Sequence, residues 1–502
     1  MMCIIATTSL LLSQVLFAKT YGGTSDEWVG TMVQTNDGGY AVAGQTKSFG
    51  TGMTDILVVK ITGSGDLEWV RTFGGAESEI AWSIAPTTDG GLALAGATES
   101  FGVGYYEVLV LKLTGSGGIQ WARTFGGTAN DEARSIIQTS DGGYAIAGAT
   151  YSFGAGNTDL IVLKLTSSGG LQWAKTFGEA NSECGYSIIQ TSDGGYAVAG
   201  YTQSFGAGND DLLVLKLTSS GGLSWAKTFG GTNYEDAWSI IQTTDGGYAV
   251  GGVSSISGYN FLFMKLSSSG ALEWARTFGR TNSEYVYSII QTSDGGYAVA
   301  GSTQSFGTGG EDFLFMKLSS GGALEWARTF GGMADDQASS IIQTSDGGYA
   351  ISGVTGSFGA GAWDFVALKT SSGGGYAGCV NDCSPTVMAP TLSSSSPTIG
   401  AACTPTPLSV NLTVGTPSLS TTDACPPAVE ESDVLPGNRL TCSLFSGGII
   451  FHSPADIGVR IYSADGRVAY SGQLQKGENR INLDQGVYLW IAGHYRGKAA
   501  VR

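Results

Sequence analysis

The sequence predicts an all-β chain dominated by a seven-bladed β-propeller with four-stranded blades. Three observations predict it. First, a unit of roughly 52 residues recurs seven times between about residues 14 and 378. Its clearest marker is Asp-Gly-Gly, beginning at Asp37, Asp89, Asp141, Asp193, Asp245, Asp294 and Asp346, spaced by 52 residues five times and 49 once. A fixed period of this size marks a solenoid or a propeller. Second, each copy reads as four short strands, the content of one propeller blade. Third, the two ends of the array are complementary halves. Composition agrees, since 79 glycines and 13% charged residues suit tight turns and short strands more than helices.

The elements follow in chain order. The start, MMCIIATTSLLLSQVLFA, is an apolar run of signal-peptide length, so residues 1–13 are expected to be a signal peptide cleaved after Ser13. It lacks a Lys or Arg before the apolar core, and it is shorter than the roughly 18–20 apolar residues that span a bilayer. No membrane span is expected elsewhere. The propeller domain is assigned to 14–378. In its third copy, Ser135–Thr139 is a first strand, and Asp141-Gly142-Gly143 is a hairpin turn built on residues that tolerate left-handed backbone. Tyr144–Thr150 is a second strand of small residues. Leu160–Leu165 is a nearly continuous apolar strand, as expected for one covered on both faces. A fourth strand carries Trp173; its counterparts Trp69, Trp121, Trp225, Trp274 and Trp326 are expected to pack between neighbouring blades.

The seventh copy lacks its fourth strand, and the missing piece stands at the other end of the chain. Phe17-Ala18-Lys19-Thr20-Tyr21-Gly22-Gly23 matches Trp225-Ala226-Lys227-Thr228-Phe229-Gly230-Gly231 position for position. The N-terminal strand is therefore expected to complete the last blade and close the ring, which removes the exposed edges of an open array. An open solenoid is the alternative.

Residues 379–446 are rich in Ser, Thr and Pro and read as an extended linker or stalk. Five cysteines fall there, Cys379, Cys383, Cys403, Cys425 and Cys442, and in an exported chain they read as disulfide formers with one thiol left over. Residues 447–502 change character again. The stretch GVRIYSADGRVAYSG…GENRINLDQGVYLWIAGHYRGKAAVR is similar to the C-terminal sorting domain of type IX secretion substrates, with its Ile-Tyr-x-x-x-Gly-Arg hairpin and basic, apolar last strand. That resemblance implies a small Ig-like β-sandwich, engagement of the type IX secretion machinery, and release or attachment at the outer cell surface. The DGGYAVAG…LKL…WAKTFGG units in turn resemble those of secreted bacterial β-propeller repeat proteins, a likeness that implies the fold and no settled activity.

The formal net charge of −17 repels nucleic acid and anionic lipid. The two histidines, His452 and His494, lie outside the propeller, so no Ser-His or Cys-His arrangement is available on it. The chain is expected to be non-catalytic. A polysaccharide-degrading enzyme using a carboxylate pair is one alternative, and a purely structural surface or adhesion protein is another.

Two sets of positions are candidates for binding. A carboxylate recurs between blades as Glu27, Glu79, Asp131, Glu183, Glu235, Glu284 and Asp336. Such a set is able to ring a channel mouth and hold calcium through oxygen. It is equally able to brace its own loops, which strict repetition favours. No cofactor is otherwise expected. A second acid precedes the third strand in six copies, with Asn260 in its place in the fifth. Three positions after the first acid the copies differ: Gly30, Trp82, Arg134, Tyr186, Trp238, Tyr287 and Ser339. Variable aromatics on an otherwise uniform loop suit recognition of an extracellular glycan or protein, and they equally suit filling the space where blades converge. Trp82, Arg134, Tyr186, Trp238 and Tyr287 are the ligand-binding candidates.

Overall fold

The computed structural model describes residues 16–376, apart from 207, 256, 257 and 281, together with strand segments between Val380 and Val501. The signal-peptide segment and the side chains of the five clustered cysteines lie outside the described residues. Two compact units result, Met1–Pro426 and Pro427–Arg502.

The first unit is a seven-bladed propeller. Strand β1 (Phe17–Gly22) belongs to the last blade, and blade 1 follows as β2 (Glu27–Gln34), β3 (Tyr40–Thr46), β4 (Asp55–Ile61) and β5 (Leu67–Gly74). Each blade repeats this antiparallel order from the innermost strand outward. Asp-Gly-Gly forms the first turn because Gly38 holds φ 84°, where a side chain would be strained. Strand β4 is buried along its whole length, as its apolar run requires.

The ring closes as expected. Strand β1 pairs antiparallel with Asp364–Thr370, in the register Phe17 to Lys369 through Tyr21 to Phe365. The cores sit between blades. One cluster joins Ala43, Ile56 and Phe73 of blade 1 to Ile84, Leu94 and Leu111 of blade 2. Trp69 lies over the next blade, where its Nε1 donates to the Gly115 carbonyl at 3.1 Å. A Cβ on Gly117 would meet the Trp69 ring at 3.0 Å, so that turn must be glycine. Around the axis, Thr31 Oγ1 accepts from the Ile84 N–H at 3.0 Å, and a serine repeats this link from Ser83 to Ser288.

The segment expected as a linker contributes seven short strands between Val380 and Asp423. Each adds antiparallel to the outer edge of one blade, from blade 6 backward through blade 1, ending on β1. The tail thus belts the ring, and β1 is paired on both sides. The second unit contains a three-stranded and a four-stranded antiparallel sheet.

Candidate functional site

The seven inter-blade carboxylates open the innermost strands and are fully buried. Each accepts a backbone N–H four residues upstream, from Gly23 to Glu27 at 2.8 Å through Gly332 to Asp336 at 2.8 Å. Glu27, Glu79 and Glu183 also accept the hydroxyl of the threonine that ends the second strand, at 2.6–2.8 Å. They brace their own loops. They are not a ring of ligands facing a mouth, because 0% of each is exposed. Among the described residues no group of three His, Cys, Asp or Glu side chains is placed to hold a metal.

In six blades the second acid packs beside the first acid of the next blade, with a glycine between, and Asn260 takes its place in the fifth. A Cβ on Gly74 would lie 1.7 Å from Asp55 Oδ1 and 3.0 Å from Glu79 Oε2. Burial, added to the neighbouring charge, raises the carboxyls of Asp55, Asp159 and Asp364. Burial and the nearby Asp336 push Asp312 up to about 7. These pairs resemble the acid pair of a hydrolase in composition, and they are buried, with Asp312 1% exposed and Asp336 0%.

On the opposite face the structure adds a feature absent from the sequence expectations. The turn aspartates are counter-ions as well as turn formers. Asp37, Asp89, Asp141, Asp193, Asp245, Asp294 and Asp346 each pair with a buried lysine of the third strand, for example Lys60 at 2.9 Å and Lys164 at 2.9 Å. The available signal was a lysine recurring in every copy of an otherwise apolar run. A depression of ≈ 610 Å³ on this face is lined by repeat residues such as Gln190 and Gln242. The Gln190 and Gln242 carboxamides accept N–H groups from the preceding blade.

The variable positions are strand residues, not loop residues as the sequence had indicated. Trp82, Arg134, Tyr186, Trp238 and Tyr287 each occupy the fourth position of an innermost strand, at a β-bulge. A bulge re-aims one side chain, and here it brings all five together at the centre of the ring. Arg134 lies 4.4 Å over the Trp82 ring and 6.0 Å from Tyr186. Glu132 holds the same guanidinium at 2.5 Å. Tyr186 stacks on Trp238 at 5.1 Å, and Trp238 meets Tyr287 edge-on at 4.9 Å. The track continues outward through Tyr285 to Tyr259, which is exposed just before the third strand of the fifth blade, Asn260–Leu266. Gly30 and Ser339 hold the same position in the two remaining blades, which are adjacent, and the Ser339 hydroxyl donates to the Val29 carbonyl at 3.5 Å.

The five are partly buried. Nε1 of Trp82, Nε1 of Trp238, Nε of Arg134 and Oδ1 of Asp236 are buried without a hydrogen-bond partner among the described residues. Orphaned polar atoms of this kind cost roughly 1–3 kcal/mol each, and proteins leave few of them. Burial, then the charges of Asp210 and Glu235, push Asp236 up to about 7. Burial pushes the lone thiol of Cys184 up to about 12 and raises the phenols of Tyr186 and Tyr287.

The rim of the same face carries exposed apolar side chains, also missed in the sequence because they are scattered over different loops. Tyr105 is 78% exposed, Met333 71% and Met53 70%. These loops share one face, since the loop after the second strand pairs with the next inter-blade loop at Thr54–Ser78, Thr158–Ser182 and Asp210–Tyr234.

No protein-family model and no curated protein matches the chain. Solved structures resemble it at low identity. Sqt1 of Chaetomium thermophilum, bound to the N-terminus of a ribosomal protein, is 10% identical with a TM-score of 0.41, over 70% of this chain and 98% of that one. PorZ, a surface component of the type IX secretion system of Porphyromonas gingivalis, is 13% identical with a TM-score of 0.38, over 93% of this chain and 58% of that one. A protein of unknown function from Bacteroides caccae is 11% identical with a TM-score of 0.33, over 62% and 93%. The propeller assignment rests on the strand pairing described above.

Proposed function

We propose that the chain is an exported, non-catalytic binding protein whose propeller takes an extracellular glycan or protein ligand at the mouth of its central channel. One observation carries this. Where the repeat is otherwise uniform, five consecutive blades place different residues in contact, four of them aromatic, and leave polar atoms of Trp82, Arg134 and Trp238 unpaired beside them. Aromatic faces with spare donors are what a sugar ring or a peptide side chain uses. Export to the cell surface or medium rests on the N-terminal apolar run and on the C-terminal resemblance, which also carries the proposal that Pro427–Arg502 includes an Ig-like sorting domain.

The test is a glycan array and a peptide array probed with the purified chain, with calcium and with chelator, beside a Trp82→Ala/Trp238→Ala variant. Selective binding lost in the folded variant is the expected result. Binding that survives the double substitution, or no binding on either array, counts against the channel mouth.

A further inference from the structure

The two faces of the propeller are electrically different. On the turn face each Asp-Gly-Gly aspartate is neutralised by its own buried lysine. On the mouth face, the loops between Gly23 and Trp363 carry seven carboxylates besides the two buried sets, one of them, Glu311, also buried, against two cations, Lys47 and Arg280. Lys47 is already engaged by Asp26 at 3.3 Å. Glu77 and Glu179 are exposed, and Asp210 stands beside Tyr234 and the unpaired Asp236 oxygen. The exposed Met53, Tyr105 and Met333 lie among these acids.

We propose that the mouth face docks a cationic peptide segment, its Arg or Lys side chains meeting the acidic loops and its apolar side chains meeting the exposed rim. The proposal rests on the mouth being the binding face and names the ligand class there. Charge complementarity selects the partner, because an anionic glycan, a nucleic acid or an anionic membrane would be repelled by the same loops. The chain supplies an internal precedent for the chemistry. Arg134 is held between the Trp82 face at 4.4 Å and the Glu132 carboxylate at 2.5 Å, an arrangement of aromatic wall and acid suited to a guanidinium. A ligand arginine would repeat that arrangement with Tyr259 or Tyr234 and the loop carboxylates. Exposed aromatic and Met side chains rimmed by charge are also what a peptide surface uses.

The experiment uses the full chain and a fluorescein-labelled pentapeptide alternating glycine and arginine, with a glycine–glutamate peptide as its counterpart. Fluorescence anisotropy is expected to show binding of the first and none of the second, and binding is expected to weaken by about tenfold as salt shortens the reach of the charges. A Glu77→Gln/Glu179→Gln/Asp210→Asn variant is expected to lose a similar factor with an unchanged unfolding midpoint. A control variant, Glu68→Gln/Glu273→Gln/Glu325→Gln, removes as many acids from the outer strands and is expected to bind normally. Equal loss in both variants, or failure of the arginine peptide to bind, overturns the proposal. Selective binding of neutral glycans in place of the peptide overturns it while leaving the mouth as the binding face. Silence toward both peptides and glycans overturns the two proposals together.

Discussion

Ring closure is tested most directly at Phe17. This residue occupies the position held by tryptophan in the other blades, at the seam between the last blade and blade 1. It is 4% exposed, packs on Tyr40 of blade 1 at 6.2 Å, and lies against the Gly65 turn, where a Cβ would meet its ring at 2.6 Å. Phe17→Ala removes a buried aromatic from a site that cannot collapse, because strand pairing with Asp364–Thr370 fixes the backbone on one side and the tail strand fixes it on the other. Burial of the ring is worth about 2–3 kcal/mol, and the cavity left behind brings the expected loss to about 3–4 kcal/mol. Urea denaturation followed by tryptophan fluorescence measures it, with the slope checked for constancy. Lys19→Ala, which breaks only an exposed pair with Asp66, is the matched control and should move the midpoint little. A Phe17→Ala loss below about 1 kcal/mol would refute closure by the N-terminal strand, since an unpaired chain end tolerates such a change at almost no cost.

Three other outcomes are expected. Asp141→Asn removes the counter-charge paired with the buried Lys164, leaving neutral acceptors such as the Leu165 carbonyl at 3.0 Å, and because Asp141 is half exposed the loss should be about 1–2 kcal/mol. Adding Lys164→Met should recover most of it in a double-mutant cycle, and a second loss of equal size would contradict the pairing. The pH dependence has two limbs. Asp312 and Asp236, raised by burial to about 7, bind more protons folded than unfolded, so their contribution to stability declines as pH rises from about 4 through 7. Asp37, Asp89 and Asp141, lowered to about 2 by their bonds to threonine, glycine and lysine, contribute stability that is lost as pH falls below about 4. Melting temperature should therefore peak in mild acid, and Asp312→Asn, already the natural choice at Asn260, should flatten the upper limb; a curve that climbs steadily to alkaline pH contradicts the assignment. Truncating the chain after Tyr376 should deprotect amides of the outer strands to hydrogen exchange, notably around Thr228, Thr277 and Thr329, where the tail strands pair. Unchanged protection would remove the belt from the architecture.

The repeat, the blade and the closing strand were legible because they rest on period, turn chemistry and the matching of Phe17–Gly23 to Trp225–Gly231. The variable positions were legible as residues and misplaced as structure. The innermost strand reads as Ser135–Thr139 because its β-branched Ile136-Ile137 pair stands there, whereas it begins at Asp131. A β-bulge between Ala133 and Ser135 breaks the period of two, so the residues before it resemble a loop. Lys164 was absorbed into an apolar run because one lysine hardly alters the hydropathy of Leu160–Leu165; only its counter-ion, 23 residues upstream, explains it. The belt was illegible for a different reason. Its strands join blade edges through backbone groups, and a Ser, Thr and Pro composition carries no side-chain alternation to announce them.

Repeated and unrepeated positions divide the labour of this molecule, and Arg134 is where that division is tested. The acids, lysines, hydroxyl links and seam tryptophans recur because every blade has the same neighbours to satisfy. The fourth position of the innermost strand also sits at the same β-bulge in each blade, yet its occupant changes. Crowding accounts for only part of this. A Cβ on Gly30 would meet the Trp82 carbonyl at 2.6 Å, so blade 1 must keep a glycine, but no such limit applies to Trp82, Arg134 or Tyr186. If these side chains only filled the centre, Arg134→Tyr, which copies the next blade, would exchange a guanidinium with an orphaned Nε for another ring, and nothing beyond stability would change. The substitution is instead expected to keep the fold within about 1 kcal/mol and to weaken ligand binding, because Glu132 then loses the partner that holds it beside the aromatic wall. A variant that binds as the parent does, on the same arrays, would return all five residues to the role of filler.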